Sequence, residues 1–315
     1  MDIIPIFFSF DEGYVPQAAV TFKSLLTNRT SKCIYKLYVL YTNIKRNSIE
    51  LLKKTIYQHP NATLDFIFLD DSIIDIEFNK TNFSTDHLGT VFTKDTLFRC
   101  IPDLLPEFNK YDKIIYSDVD IVVVDDISDL YSIKFEKEYI AGVKIPHFLE
   151  HEISHLDNKF QGTYIAGGLW VMNLKKMRED EIGKKALEII KKPPFRLIWN
   201  DQDVMNIVCD TNVLFLSYRY ISIPDWLPIL KNKKFRDKYY SSRELKDCMY
   251  RPKIVHYAGK KPWKDITVRK AKLWFDWLDK TDFSYLFMDQ KKLLESHKKV
   301  SRFIRLLRKI KILRK

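Results

Sequence analysis

Apolar residues recur in two rhythms along this 315-residue chain. Ile3–Phe10 is an unbroken apolar run, as expected of a strand covered on both faces. It stops at Asp11-Glu12-Gly13-Tyr14-Val15-Pro16, a turn whose proline is placed to open a helix, where its missing N–H costs nothing. Ala18, Ala19, Phe22 and Leu25-Leu26 continue as a helical stripe. Tyr35–Tyr41 reads as a second strand, Ser48–Tyr57 as a helix with Ile49, Leu52 and Ile56 on one side, and Leu64–Leu69 as a third strand. This alternation predicts an α/β fold, Rossmann-like, with a mostly parallel sheet and helices on both faces. Nucleotides are often bound by such folds, but fold alone assigns no function.

Further along, 70–93 is polar and irregular and reads as a mobile loop. Thr96–Leu105 predicts a short helix and Lys113–Tyr116 a strand. Ile121–Val124 extends the apolar run beyond Ser117-Asp118-Val119-Asp120. Ile140–Ile145 and Leu169–Asn173 predict further strands, Lys175–Lys191 and Asp201–Val208 helices, and Ile254–Tyr257 a last strand. No internal repeat is visible.

A chain 46% hydrophobic with 14% aromatic residues is neither disordered nor of low complexity. Its net charge of +12 matters once located. Residues 298–315 hold nine basic residues and no acid, leaving +3 for the rest. Val300, Phe303, Ile304, Leu307 and Ile310 share one helical face there, the pattern of an interfacial helix on anionic lipid. A solvated or nucleic-acid-binding tail is the other reading. Cys33, Cys100, Cys209 and Cys248 form no CxxC pair, so neither a disulfide framework nor a structural zinc site is expected. The N-terminus lacks the pattern of a signal peptide, and nowhere do 18 apolar residues run together. The expected location is the cytoplasm, peripheral on the inner membrane face.

The strongest chemical signal is Asp118-Val119-Asp120 between two apolar strand pieces. Carboxylates at i and i+2 on extended backbone point the same way and repel unless a cation lies between them. A hard divalent ion, Mg²⁺ or Mn²⁺, suits such oxygens and leaves positions for phosphates. A pair of turn residues ending a strand is the plainer alternative. Asp125-Asp126 reads as a helix start with Asp126 as N-cap and Asp129 in the first turn, and Asp70-Asp71 as a strand-exit turn. Downstream, His256 leaves a short apolar strand and is followed by Gly259, Lys260 and Lys261, a set suited to metal-bound diphosphate. A core histidine with a surface turn reads equally well from the residues alone.

Six ordered motifs together resemble the retaining glycosyltransferases of family 8, across about residues 3–265. They are Ser9-Phe10-Asp11-Glu12-Gly13-Tyr14; Leu97-Phe98-Arg99 with Leu104-Leu105-Pro106; and Lys113 to Tyr116-Ser117-Asp118-Val119-Asp120. Gly167-Gly168 to Asn173-Leu174, Asn200-Asp201-Gln202-Asp203, and His256-Tyr257-Ala258-Gly259 leading to Lys261-Pro262-Trp263 complete the set. The family includes bacterial lipooligosaccharide and lipopolysaccharide galactosyl- and glucosyltransferases. The resemblance implies a GT-A catalytic domain over 1–265, a helical C-terminal region over 266–297 and the basic membrane-association tail over 298–315.

By the same resemblance, Asp118, Asp120 and His256 would hold Mn²⁺, with Mg²⁺ the other candidate. Tyr14 would stack on uracil, Asp11 would accept from the base, and Ser9 and Gly13 would line the nucleotide site. Arg99 would orient the carboxylates or the donor sugar, and Gly259 with Lys261 would close on the pyrophosphate. Residues 78–93 and 258–264 would act as lids. Asp201 and Gln202 would serve the reacting sugar, with a front-face route favoured because Gln202 has no charge to give as a nucleophile. The plainer reading of Asp201 and Asp203 is a helix start capped by Asn200. The partners implied are a UDP-sugar donor and a saccharide or glycolipid acceptor, with nucleic acid disfavoured.

Three departures touch the sugar pocket. Ala166-Gly167-Gly168 stands where Asn-Ala-Gly is usual, Lys144-Ile145-Pro146 where an Asp is common, and Gly259 lies one residue nearer Lys261 than is common. The identity of the sugar is therefore left open, with galactose or glucose favoured. These departures also leave room for a non-catalytic membrane- or nucleic-acid-binding protein whose sugar-nucleotide site has decayed. His151-Glu152-Ile153-Ser154-His155 matches the HExxH zinc motif, but only three of its positions are constrained and no third ligand follows. A polar loop or short helix beside the acceptor site is the expectation there.

Overall fold

The computed structural model describes residues 2–29, 33–74, 86–87, 90–91, 94–232, 234 and 237–296. Strand β1 (Ile3–Ser9) is buried from Ile4 onward, and its side chains alternate between two apolar layers. Ile4, Ile6 and Phe8 enter one layer with helix α1 (Val15–Thr27), and Phe7 enters the other. In β2 (Ile34–Tyr41), Leu37 and Val39 join the first layer, Tyr38 and Leu40 the second. A strand apolar throughout needs cover on both faces, and the crossover helices supply it. Helix α2 (Arg46–Ile56) leads to β3 (Ala62–Phe68), and β1, β2 and β3 are parallel.

A small hairpin of β4 (Asp86–His87) and β5 (Thr90–Val91) intervenes. The chain then returns on the other side of β1 as β6 (Ile114–Ser117), parallel to it. With β8 (Ile140–Lys144), β9 (Ile165–Met172) and β10 (Val213–Phe215), the seven-stranded order is β10-β8-β9-β6-β1-β2-β3. Only β9 runs antiparallel to its neighbours. Helices α3 (Leu174–Glu179), α4 (Ile182–Lys191) and α5 (Asp201–Cys209) cover the second layer. A short α6 (Leu227–Leu230), α7 (Ser242–Tyr250) and α8 (Ala271–Leu278) follow, α8 burying Trp274 and Phe275 in the α1 layer, and a 3₁₀ turn at Ser284–Phe287 leads into helical residues 288–296.

The structure corrects several expectations. Thr96–Leu105 is not an α-helix but 3₁₀ turns at Lys94–Cys100 and Pro102–Leu104, followed by another at Pro106–Phe108. Pro102 would break an α-helix there, having no N–H to donate. The helix expected over 175–191 is split at Glu181, whose φ is 54°. Asp103 explains the restart, because its buried carboxylate accepts from Gly183 N–H at 2.9 Å in the first turn of α4. Asp126 does not cap an α-helix; it accepts from Ser128 N–H at 2.8 Å at the start of a 3₁₀ turn, Ser128–Ser132. Ile121–Val123 does not extend β6. It forms β7, which leaves the main sheet and pairs antiparallel with β11 (Ile254–His256). The loop and lid expected in 70–93 fall largely outside the described residues, and the tail of 298–315 lies wholly outside them.

Two buried polar residues of α1, Thr21 and Ser24, and its C-cap residue Asn28 hold this departure in place. Thr21 Oγ1 donates to the carbonyls of Val119 and Ile121, at 2.8 and 3.0 Å. Ser24 Oγ accepts from Val123 N–H at 3.0 Å, and Asn28 donates to the Val123 carbonyl at 2.8 Å. These bonds replace the ladder that the β6–β7 bend gives up. Thr21→Val keeps the shape but leaves two buried carbonyls unpaired, so it should cost about 1–3 kcal/mol. A urea midpoint equal to that of the wild type would refute this role.

Candidate active site

The carboxyl ends of β1, β6 and β8 and the amino end of β9 open into one cavity. Strand order reverses between β1 and β6, which is where α/β sheets leave a crevice. Asp118 and Asp120 occupy the bend after β6 at the floor of this crevice, with Val119 turned into the core. Pairing of β11 with β7 sets His256 opposite Ile121, next to the pair. Ligand atoms of Asp118, Asp120 and His256 all lie within 4.8 Å of one another. His256 Nε2 is 3.4 Å from Asp118 and 3.1 Å from Asp120.

Positive charge surrounds the pair. Lys261 Nζ lies 2.5 Å from Asp120 Oδ2 and donates to the Tyr257 carbonyl at 2.7 Å. Arg99 bridges Asp118 and Asp201 at 2.8 and 3.1 Å, with its guanidinium 4.5 Å over the Tyr116 ring. The Tyr116 hydroxyl donates to Asp118. Burial alone would raise both carboxyl pKa values, but Arg99 and His256 hold Asp118 below the usual range. Lys261 and His256 hold Asp120 lower still. Burial disfavours a charged imidazole, yet the two carboxylates outweigh it and raise His256 to about 9. At Asp201 burial wins over Arg99 and pushes the carboxyl up to about 7.

These residues fit a divalent cation. Asp120 Oδ1 is buried without a hydrogen bond, since the nearby imidazole is out of alignment with it. Two hard carboxylates and one imidazole also suit Mn²⁺ or Mg²⁺ by donor type. Gly168 makes room for the arrangement. Its carbonyl accepts from Asp118 N–H at 3.0 Å, and a Cβ there would overlap the His256 ring, 2.5 Å from Nδ1.

The other expected residues divide. Ser9, Asp11 and Tyr14 line the cavity beside the cation cluster. Ser9 donates to the Asp95 carbonyl, and Asp11 accepts from Gly13 N–H at 2.8 Å, capping the turn into α1. Gly13 and Gly259 are not among the cavity-lining residues; Gly13 serves the Asp11 cap, and Gly259 packs so closely on Asp225 that a Cβ would lie 2.8 Å from its carboxylate. Lys261 does line the cavity, but its ammonium is committed to Asp120. Gly167 and Gly168 face Gln202 and His256, and Gln202 Oε1 accepts from Gly167 N–H at 2.5 Å. Asp201 and Gln202 thus share the cavity with the cation cluster.

A family model described as Glycosyl transferase family 8 matches residues 5–267. The chain belongs to that family. It is 26% identical over 274 residues to General stress protein A of Bacillus subtilis (strain 168), covering 84% of this chain and 89% of that protein. It is 28% identical over 204 residues to the lipopolysaccharide 1,3-galactosyltransferase of Salmonella typhimurium, covering 61% of this chain and 54% of the other. Among solved structures, the galactosyltransferase LgtC with donor and acceptor sugar analogs aligns at a TM-score of 0.69. That match has 19% identity and covers 89% of this chain and 96% of LgtC, so it shows the GT-A fold.

Residues that the sequence reading left in the background organise the part of the cavity that Asp201 and Gln202 line. Asp203 is fully buried, and both its oxygens are engaged. Oδ1 accepts from the Tyr164 hydroxyl at 2.5 Å. Oδ2 lies 2.9 Å from His155 Nε2 and accepts from the N–H groups of Ile198 and Trp199 at 2.9 Å. Asn200 stands at the start of α5 with φ 45° and makes no side-chain cap; Asp203 does the holding, and so fixes the backbone that presents Asp201 and Gln202. This also disposes of the zinc motif. His155 points to Asp203, whereas His151 is exposed and contacts Glu152 and the Phe148 carbonyl. Asp118, Asp120 and His256 form the metal-capable group among the described residues. In the sequence, the signal for Asp203 was an acid repeated at i+2 after Asp201, which resembles ordinary helix-start chemistry.

Gly168→Ala should displace the His256 ring. Titration with Mn²⁺ should show affinity weakened at least about tenfold, with far-ultraviolet circular dichroism unchanged. Wild-type affinity in this variant would show that the contact is not needed.

Proposed function

We propose that this protein is a metal-dependent retaining transferase moving a hexose, galactose or glucose, from a UDP-sugar to a saccharide acceptor of lipopolysaccharide or another surface glycan. The observation that carries the reading is the buried group of Asp118, Asp120 and His256 beside Lys261 at the switch point of the sheet. The named activity of the Salmonella relative supports the sugar class.

Asp118, Asp120 and His256 would hold Mn²⁺, which when bound neutralises charge on the departing diphosphate. Lys261 adds a second positive charge at the same carboxylate. Tyr14 and Asp11 lie where the uracil would stack and pair, and Ser9 backs the same pocket. Arg99 locks Asp118 to Asp201, so the carboxylates that meet the diphosphate and the sugar keep a fixed separation. Gln202, held by Gly167 N–H, brings a neutral amide to the reacting face. An amide stabilises developing positive charge by its dipole but forms no glycosyl ester, which favours attack from the leaving-group side, with a phosphate oxygen taking the acceptor's proton. Water has to be excluded while this happens, because hydrolysis of the donor is the competing reaction.

No helix among the described residues is long and apolar enough to cross a membrane. The basic stripe of 298–315 supports peripheral attachment to an anionic inner leaflet, on sequence grounds.

Three outcomes follow from this reading. With Mn²⁺, UDP-galactose or UDP-glucose should yield UDP, and UDP plus Mn²⁺ should raise the melting temperature. Asp120→Asn should cut turnover at least about a hundredfold. Unchanged turnover in that variant would overturn the mechanism. Removal of 298–315 should abolish binding to phosphatidylserine vesicles at low salt and leave UDP release intact. Persisting vesicle binding would place the attachment elsewhere.

A further inference from the structure

The cavity continues past the reacting centre into a wall of different chemistry. Sheet order gives the direction. Ser9 ends β1, Asp118 follows β6, Gly167 lies on β9 and Ile145 follows β8, so the cavity runs across four adjacent strands. At about 4.8 Å per strand, β8 stands roughly 14 Å from β1. The nucleotide, cation and reacting-sugar groups occupy the first three positions, and the wall occupies the fourth. It consists of Ile145; Leu149, Glu152 and Ile153 from the 3₁₀ segment His147–Ile153; and Ile223 and Trp226 from the turn entering α6.

Five of these six side chains are aliphatic or aromatic, and Glu152 supplies the one charge. Trp226 is braced edge-on by Phe148, with ring centroids 5.8 Å apart. The adjacent cation Lys144 adds no charge, because its ammonium lies 4.0 Å over the Phe215 ring and 4.7 Å over Tyr239, outside the cavity lining. The same turn is joined to the cation cluster, since His256 N–H donates to the Ser222 carbonyl at 3.0 Å. The wall is therefore continuous with the reacting centre.

A free sugar bears hydroxyls around its ring, and burying them against Ile145, Leu149, Ile153 and Ile223 would leave them without partners. An apolar group gains from the same burial. Resting on the transferase reading above, we infer that this wall receives an apolar aglycone attached next to the acceptor ring. Trp226 and the aliphatic side chains cover the aglycone, and Glu152 accepts a hydrogen bond from a hydroxyl of the ring. The acceptor is thus a glycoside on an apolar carrier, not a free saccharide.

Steady-state kinetics with Mn²⁺ and the donor that gives UDP release test this, using methyl and octyl glycosides of the same hexose, each tried as glucoside and galactoside. UDP release without acceptor and melting temperature are measured alongside. The wild type should show a KM for the octyl glycoside at least about tenfold below that for the methyl glycoside. Trp226→Ala should erase most of that ratio, and Trp226→Phe, which keeps an aromatic face, should retain it. Glu152→Gln should raise KM for both glycosides together and leave the ratio intact. Equal KM values for the two glycosides in an enzyme that does release UDP overturn the aglycone assignment alone. A Trp226→Ala effect confined to acceptor-free UDP release assigns the wall to the donor and overturns it too. Absence of UDP release from every donor overturns the transferase reading, and this inference with it.

Discussion

Two carboxylates buried in one bend repel each other, and the architecture around Asp118 and Asp120 answers that repulsion. Arg99 reaches Asp118 from a 3₁₀ segment, Lys261 reaches Asp120 from the turn after β11, and His256 stands between them. None of these cations is near the pair in sequence. Arg99 and Lys261 each satisfy a second group too, Asp201 and the Tyr257 carbonyl, so these neutralising charges cannot drift away without leaving another buried group unpaired. The imidazole is held charged by the carboxylates, the part that a divalent cation would take over on binding.

The backbone beneath the cluster is just as dependent on distant residues. Because β7 leaves the main sheet, its peptide groups find partners in β11, in Thr21 and Ser24 of α1, and in Asn28 just after that helix. Helix α1 is thus more than cover for the sheet. Its buried polar side chains pack against the bend that carries Asp118 and Asp120, and the turn before it carries Tyr14 into the same cavity. Beyond the Asp118–Asp120 pair, Asp203 performs the corresponding task for Asp201 and Gln202, gathering a tyrosine, a histidine and two backbone N–H groups on one carboxylate. The candidate site residues sit on bends and turns, and rigidity there comes from buried polar groups such as Asp203, both of whose oxygens are engaged.

Much of the fold was legible because the local patterns and the tertiary environment agree. The apolar runs at Ile3–Phe10 and Tyr35–Tyr41 are buried strands, and the proline at 16 does open α1. Misreadings cluster where local pattern and packing compete. Pro102 turned an apparent helix into 3₁₀ turns, and Asp103 imposed a restart on what looked like one continuous helix. β10 was missed because three residues carry no measurable period. HExxH was legible as a motif but set aside as a zinc site, and its residues lie on a 3₁₀ segment, His147–Ile153, and the turn after it, not on an α-helix where a spacing of four sets two histidines on one face.

By itself, the sequence determined which residue types were available for chemistry: a carboxylate pair between apolar strands, a histidine before a glycine-lysine turn, and an acid-amide pair at a helix start. Their types, spacing and order were enough for a resemblance to a family. Tertiary structure alone decided that His256 meets Asp120 across a β7–β11 pairing 135 residues apart, that Lys261 is tied to Asp120, and that Asp203 is a buried anchor where it had read as part of a helix start. The reason is physical. Local preferences act over one or two turns of chain, whereas burial of a charge is settled by whichever groups packing brings within a few ångströms of it.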